Sequence, residues 1–134
     1  MKYILGNLGS QAEDIGGSSG ILKDIECDQS VYVGAVVYLQ IVSNRITAFN
    51  ALANSRLTST VFGIVESKTS STLCDIRYSG ITADNYSGLD ITKDYYLSDV
   101  VPGGLVTEDN LPTATSSIIL KIGQPSSPAA ILFS

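Results

Sequence analysis

The sequence has no histidine among its 134 residues. That absence removes the commonest general base, the Ser-His and Cys-His nucleophile pairs and most zinc sites. Carboxylate chemistry, a lysine nucleophile or an isolated thiol are what remain. Cysteine is scarce: Cys27 and Cys74 stand far apart and form no Cys-x-x-Cys arrangement. A small disulfide-stapled domain carries more, so both are expected as reduced thiols filling core space. Charged residues make up only 16% of the chain, against roughly 25% in an average soluble protein. The charge present sums to −5, with no run of lysine or arginine. Affinity for nucleic acid rests on cations meeting phosphates, so no nucleic-acid partner is expected. Long apolar runs are missing too. Met1-Lys2-Tyr3-Ile4-Leu5 opens as a signal peptide does, but stops at Gly6-Asn7 with no h-region. The longest apolar stretch, residues 31–42, is interrupted by Gly34 and Gln40 and falls short of the roughly 20 residues of a membrane helix. The expectation is a soluble chain that stays where it is made and has no membrane partner.

What is present reads as β structure. Hydrophobic residues reach 44% and mean hydropathy is +0.23. Part of so charge-poor a surface is therefore expected to be covered by a partner. The length suits one domain, which buries roughly two thirds of the surface its unfolded chain exposes. Residues 1–20 differ in composition. Five glycines alternate there with Ser10, Ser18 and Ser19, which predicts a flexible arm whose Tyr3, Ile4, Leu5 and Leu8 can dock on a neighbour. Residues 21–134 are expected to form a single all-β domain, a small barrel or sandwich of antiparallel hairpins.

Strands are expected at 21–27, 31–42 (bent or bulged at Gly34), 61–66, 73–79, 95–98, 105–107, 118–122 and 129–133, roughly one per ten residues. Residues 73–79 give the cleanest pattern. Cys74, Ile76 and Tyr78 fall on one face, Asp75, Arg77 and Ser79 on the other, with Asp75 and Arg77 as a weak surface ion pair. Val101-Pro102-Gly103-Gly104 meets the demands of a type II turn, which folds 95–98 back onto 105–107. Pro125-Ser126-Ser127-Pro128 is expected to turn the last hairpin. The sole helical candidate is 48–56, with Asn50 as N-cap. Seven tyrosines and no tryptophan fit the same class.

No constellation specifies chemistry. The close carboxylate pairs are Glu13-Asp14, Asp24 with Glu26, and Glu108-Asp109. Solvated charges explain them better than two opposed carboxylates in a cleft. Asp84, Asn85, Asp90, Asp94 and Asp99 are oxygen ligands in a Gly-containing region, but they do not match a calcium loop. Gly16-Gly17-Ser18-Ser19-Gly20 lacks the lysine of a phosphate loop. No catalytic, cofactor-binding or metal-ligating residue is assigned, and no cofactor or enzymatic activity is expected.

The C-terminal half carries a recognisable order. Asp94-Tyr95-Tyr96-Leu97-Ser98 precedes Pro102-Gly103-Gly104-Leu105-Val106-Thr107. Leu111-Pro112, Ile118-Ile119-Leu120-Lys121-Ile122-Gly123 and Ile131-Leu132-Phe133 follow. This block resembles the closing segment of small virion proteins of tailed bacteriophages, the capsid cement or decoration proteins and head-fibre proteins. Gly34–Leu39 and Phe62–Val65 resemble that family's earlier strands, so the likeness spans residues 31–134. The valines at 100, 101 and 106 depart from the family's turn surroundings. The resemblance implies a β-barrel or sandwich module on the capsid exterior, assembled in the host cytoplasm, often a homotrimer, with the major capsid protein as partner. The alternative is a tail-fibre, spike or head-fibre module that binds a host-surface glycan through Tyr86, Tyr95 and Tyr96.

Overall fold

A computed structural model describes residues 20–133. The arm expected at 1–20, its apolar residues and the Glu13-Asp14 pair lie outside the described residues, except for Gly20. The chain is almost wholly β, as its alternation predicts. Its strands are β1 Ile21–Cys27, β2 Val36–Val42, β3 Arg45–Asn50, β4 Gly63–Ser70, β5 Leu73–Arg77, β6 Gly80–Ile81, β7 Tyr95–Leu97, β8 Leu105–Thr107, β9 Lys121–Ser127 and β10 Ala130–Phe133. One 3-10 turn, Glu108–Asn110, accompanies them.

The first five strands close a barrel in the order β1-β3-β2-β4-β5. Its single parallel contact joins β1 to β3, with Cys27 opposite Ala48. All its other pairings are antiparallel. Closure removes the free edges that an open sheet leaves. The last five strands form an open sheet in the order β6-β10-β9-β7-β8. Leu22, Val37, Leu39, Val65, Cys74 and Ile76 fill the barrel. Ala51, Ala53, Tyr95, Leu97, Ile122 and Ile131 fill a second core between barrel and sheet.

Strands β2 and β4 serve both cores. Val36 and Ile64 are cross-strand partners and belong to the second core, while their neighbours Val37 and Val65 point into the barrel. All four are fully buried. A strand covered on both faces has no polar face to display, which accounts for the apolar run Val36–Leu39 that opens β2. The strand begins only at Val36. Residues 31–35 form a separate turn, closed by Ala35 N–H donating to Tyr32 O at 3.0 Å, so the single bent strand expected at 31–42 is a turn followed by a strand.

Further expectations fail, among them the strand at 118–122, of which only Lys121 and Ile122 belong to a strand, β9. No helix covers 48–56. Ala48 to Asn50 finish β3, and a looped segment follows. Ser43 and Asn44 take φ of 51° and 64°, the backbone of a tight two-residue hairpin turn. That turn returns β3 along β2 with Arg45 opposite Val42, and Phe49 stacks on Tyr38 at 5.8 Å. Asn50 caps no helix; its amide donates to Ser30 O at 3.2 Å. The alanines are small because packed layers meet there: Ala48 lies in the barrel, Ala51 and Ala53 in the second core. Pro125, expected to start the final turn, lies inside β9 beside an irregularity in the β9–β10 ladder, where a missing N–H is tolerated. The turn itself is Pro128-Ala129, with Ser127 opposite Ala130.

Cys27 and Cys74 are free and buried, as expected. Burial, and then the neighbouring Cys27 thiol, push the pKa of Cys74 from an ordinary 9.0 to about 12. Below pH 9 the thiol is protonated both folded and unfolded. Between 9 and 12 the unfolded chain releases a proton that the folded chain keeps, so stability falls as pH rises through that window. Desolvation of their hydroxyls pushes half-buried Tyr86 and the more exposed Tyr32 upward too, and both act in the same direction. Urea denaturation at several alkaline pH values is expected to show this loss, with a shallower slope in Cys74→Ala. A second expectation concerns Gly63, where a Cβ would stand 2.3 Å from Arg77 O and 2.8 Å from the Ile76 side chain. Gly63→Ala is expected to cost about 1–3 kcal/mol or more by overpacking, read from the same denaturation curves.

Candidate binding surface at the Pro-Gly-Gly turn

Strand β7 ends at Leu97, and the buried Ser98 turns the chain. The Ser98 hydroxyl accepts hydrogen bonds from the N–H groups of Val100 at 3.0 Å and Val101 at 2.9 Å. The type II turn expected at 101–104 then follows. Gly103 takes φ of +73°, and Gly104 N–H donates to Val101 O at 2.8 Å. It folds β7 onto β8 with Tyr95 opposite Thr107 and Leu97 opposite Leu105.

This turn is bolted to the barrel. Gly103 N–H donates to Ala51 O at 2.7 Å, and Val36 N–H donates to Gly103 O at 2.9 Å. The Tyr32 hydroxyl donates to Pro102 O at 2.9 Å. Glycine is needed at 103 for its positive φ and for space, since a Cβ would lie 2.9 Å from both Ala35 Cβ and Asn50 Oδ1. Asn50 Oδ1 is buried without a hydrogen-bond partner among the described residues.

The outcome is a rigid turn with an apolar tip. Val100 is 78% exposed and Val101 54%, and Pro102 beside them is exposed as well. Tyr32, Val33 and Ile119 add further exposed apolar surface. Asp99 flanks the tip and accepts a hydrogen bond from the Ser117 hydroxyl at 2.7 Å.

A pocket of about 280 Å³ beside the turn is lined by Tyr32, Tyr86, Tyr95, Leu89 and the glycines 34, 103 and 104. It unites two of the three tyrosines singled out for glycan binding. Tyr96 does not line it; as the residue between buried Tyr95 and Leu97, it faces away from the second core. The hydroxyls at the pocket are already engaged. Tyr86 donates to Gly34 O at 2.7 Å, Tyr32 to Pro102 O, and Tyr95 accepts from Asp90 N–H at 2.8 Å. The pocket thus offers ring faces and backbone.

A larger groove, about 520 Å³, runs between β2 and the 51–60 loop, lined by Tyr38, Leu39, Arg56, Leu57 and Thr60. The helix expected at 48–56 covers Arg56 and concealed the loop that forms this groove. The exposed Leu57 next to Arg56 is the one local signal for it.

The acidic residues are dispersed. Asp24, at φ of 56° in a β1 irregularity, donates its N–H to Asp75 Oδ1 at 2.9 Å, whereas Glu26 pairs with Arg45 at 2.6 Å. They form no carboxylate pair. Asp109 pairs with Lys93, while Glu108 accepts Asp94 N–H at 3.1 Å. Asp75 does not pair with Arg77. Arg77 Nε instead meets Glu66 Oε1 at 3.2 Å, both side chains 14% exposed. The Glu66 carboxylate also accepts Ala83 N–H at 3.0 Å, and its carbonyl accepts the Asn85 amide at 2.8 Å. This pair clasps the barrel to the chain that leads into the second sheet. Asp90 accepts from Thr92, and Asp94 lies 3.4 Å from Lys121. Among the described residues no three His, Cys, Asp or Glu side chains come together to hold a metal ion, and no helix is long and apolar enough to cross a membrane.

Ser98→Ala is expected to leave two backbone N–H groups without their acceptor. The cost is about 1–3 kcal/mol, with faster hydrogen exchange at Val100 and Val101 than elsewhere in the second sheet.

Comparisons with protein-family models, with curated proteins and with solved structures gave no match.

Proposed function

We propose that this chain is a structural virion protein, a capsid cement or decoration protein. It binds the assembled head of a tailed bacteriophage from outside, stabilises it and catalyses no reaction. The observation that carries the reading is apolar exposure on many sides of a charge-poor module. Ile41, Val42, Leu57, Ile81, Ile91, Val100, Val101, Ile119 and Leu132 are each more than two fifths exposed. Ile81 and Leu132 are moreover cross-strand partners on the open sheet. Scattered singly, such side chains are ordinary; the contiguous ones, Val100 with Val101 and Ile81 with Leu132, are what a surface covered by a lattice has reason to display. The resemblance of residues 94–133 to virion cement proteins supplies the partner, the major capsid protein, and a homotrimeric state. A net charge of −5 suits the outer face of the shell better than the inner face, which meets packaged DNA.

Magnitudes favour an assembly over a lone contact. Full burial of one Val, Leu or Ile contributes about 1.5–3 kcal/mol. Association costs on the order of 4–15 kcal/mol in lost freedom. Two or three such side chains do not hold a monomer on a shell. An oligomer with several feet turns later contacts into intramolecular ones, and each bound copy favours the assembled lattice by mass action.

A second reading, a fibre or spike module that binds a host glycan, draws on the tyrosine pocket at the Pro-Gly-Gly turn. It ranks lower because the three hydroxyls there are already hydrogen-bonded within the chain. The test is add-back. Heads lacking the protein are prepared, the protein is restored, and DNA release is followed on heating. Co-sedimentation with the heads and a higher release temperature are expected. An unchanged release temperature with no co-sedimenting protein overturns the cement reading, and adsorption to host cells then tests the glycan one.

A further inference from the structure

We propose that the tip Val100-Val101-Pro102 of one copy seats in the groove between β2 and the 51–60 loop of a second copy, so that the chain self-associates head to tail. The tip needs a cover. Turns are ordinarily polar, and three consecutive exposed apolar residues mark a contact surface or a defect. The hydrogen bonds from Ser98, Tyr32, Ala51 and Val36 hold this turn in one conformation. Little ordering entropy is therefore lost on docking, which is how a contact surface differs from a frayed loop.

The groove suits the tip in size, polarity and charge. Its volume of about 520 Å³ lies within the roughly 300–1,000 Å³ of pockets that enclose a compact ligand. Tyr38, Leu39 and Leu57 make its lining mainly apolar. Arg56 stands at its side, exposed and in no ion pair among the described residues. Asp99 flanks the tip, its carboxylate held by one hydroxyl. A seated tip brings Asp99 of one copy towards Arg56 of the next, an opposite-charge pair in a chain with few charges. Charge complementarity of this kind fixes register and suppresses wrong partners.

The tip cannot fill the groove of its own chain, because its hydrogen bonds to the barrel fix it where it is. Tip and groove are different surfaces, so the contact is heterologous. Each copy offers one of each, and association continues until the rotation closes a ring. This inference does not rest on the capsid reading, since the contact forms in solution without any shell.

Sedimentation velocity of the full chain over a concentration series tests it. The unmodified protein is expected to self-associate. The tip variant Val100→Asp/Val101→Asp and the groove variant Leu57→Asp are each expected to weaken association by roughly tenfold or more, as loss of a central contact does. Circular dichroism of both must match the parent, and all three sites are exposed, so the fold tolerates them. The decisive arm mixes the two variants. The tip variant keeps its groove and the groove variant keeps its tip, so one intact interface forms and the mixture yields a heterodimer that grows no further. Asp99→Lys alone is expected to weaken association, and pairing it with Arg56→Glu to restore it. A parent that stays monomeric at all concentrations, variants that associate like the parent, or a mixture that stays monomeric overturns the proposal.

Discussion

The architecture hangs on one ladder step, the pairing of Val36 with Ile64 between β2 and β4. It lies where both faces of the sheet are buried. On one side the barrel core closes over Val37 and Val65; on the other the second core closes over Val36 and Ile64. Polar substitution at any of these four would strand a group in a layer that holds no partner for it. The two strands act as a shared wall, so barrel and open sheet cannot be laid down independently. The approach of the second layer also sets residue size nearby: Ala51 and Ala53 are fully buried, and larger side chains there would push the Pro-Gly-Gly turn off its anchor at Ala51 O.

Much of this was legible where one segment decides its own conformation. The alternation of residues 73–79 predicts β5, with Cys74 and Ile76 inward. The Pro-Gly-Gly turn predicts both its own type and the β7–β8 pairing, because proline fixes φ and glycine alone takes the positive φ of the next position without steric cost. The two thiols were legible for a similar reason: single cysteines on apolar faces go inward.

What escaped was set by partners distant in sequence. Alanines at 48, 51 and 53 give the same signal for a helix face and for closely packed layers, and only the Ser43-Asn44 turn separates the two. That turn was missed because a serine stands where glycine or asparagine usually announces positive φ. The Glu66–Arg77 clasp was missed because same-strand spacing favours Asp75 as the partner of Arg77. The ladder irregularity between Val65 and Ser67 carries the Glu66 carboxylate onto the arginine, and register of that kind is not written in either strand. The groove escaped with the loop that forms it.

Scarcity of charge goes together with apolar exposure in this chain. Among its described residues the chain spreads its acids among Arg45, Lys93, Lys121, Arg77 and backbone N–H groups and gathers no cluster of opposed titratable groups. What it concentrates instead is apolar side chains held rigidly at the surface, most clearly on the bolted turn at 98–104. Rigidity matters here because each exposed valine has at most about 1.5–3 kcal/mol to give, and immobilising one loose side chain takes back about 0.5–1.5 kcal/mol of it. On a mobile loop that gain would shrink. Fixed to the barrel by its own backbone, the turn keeps it.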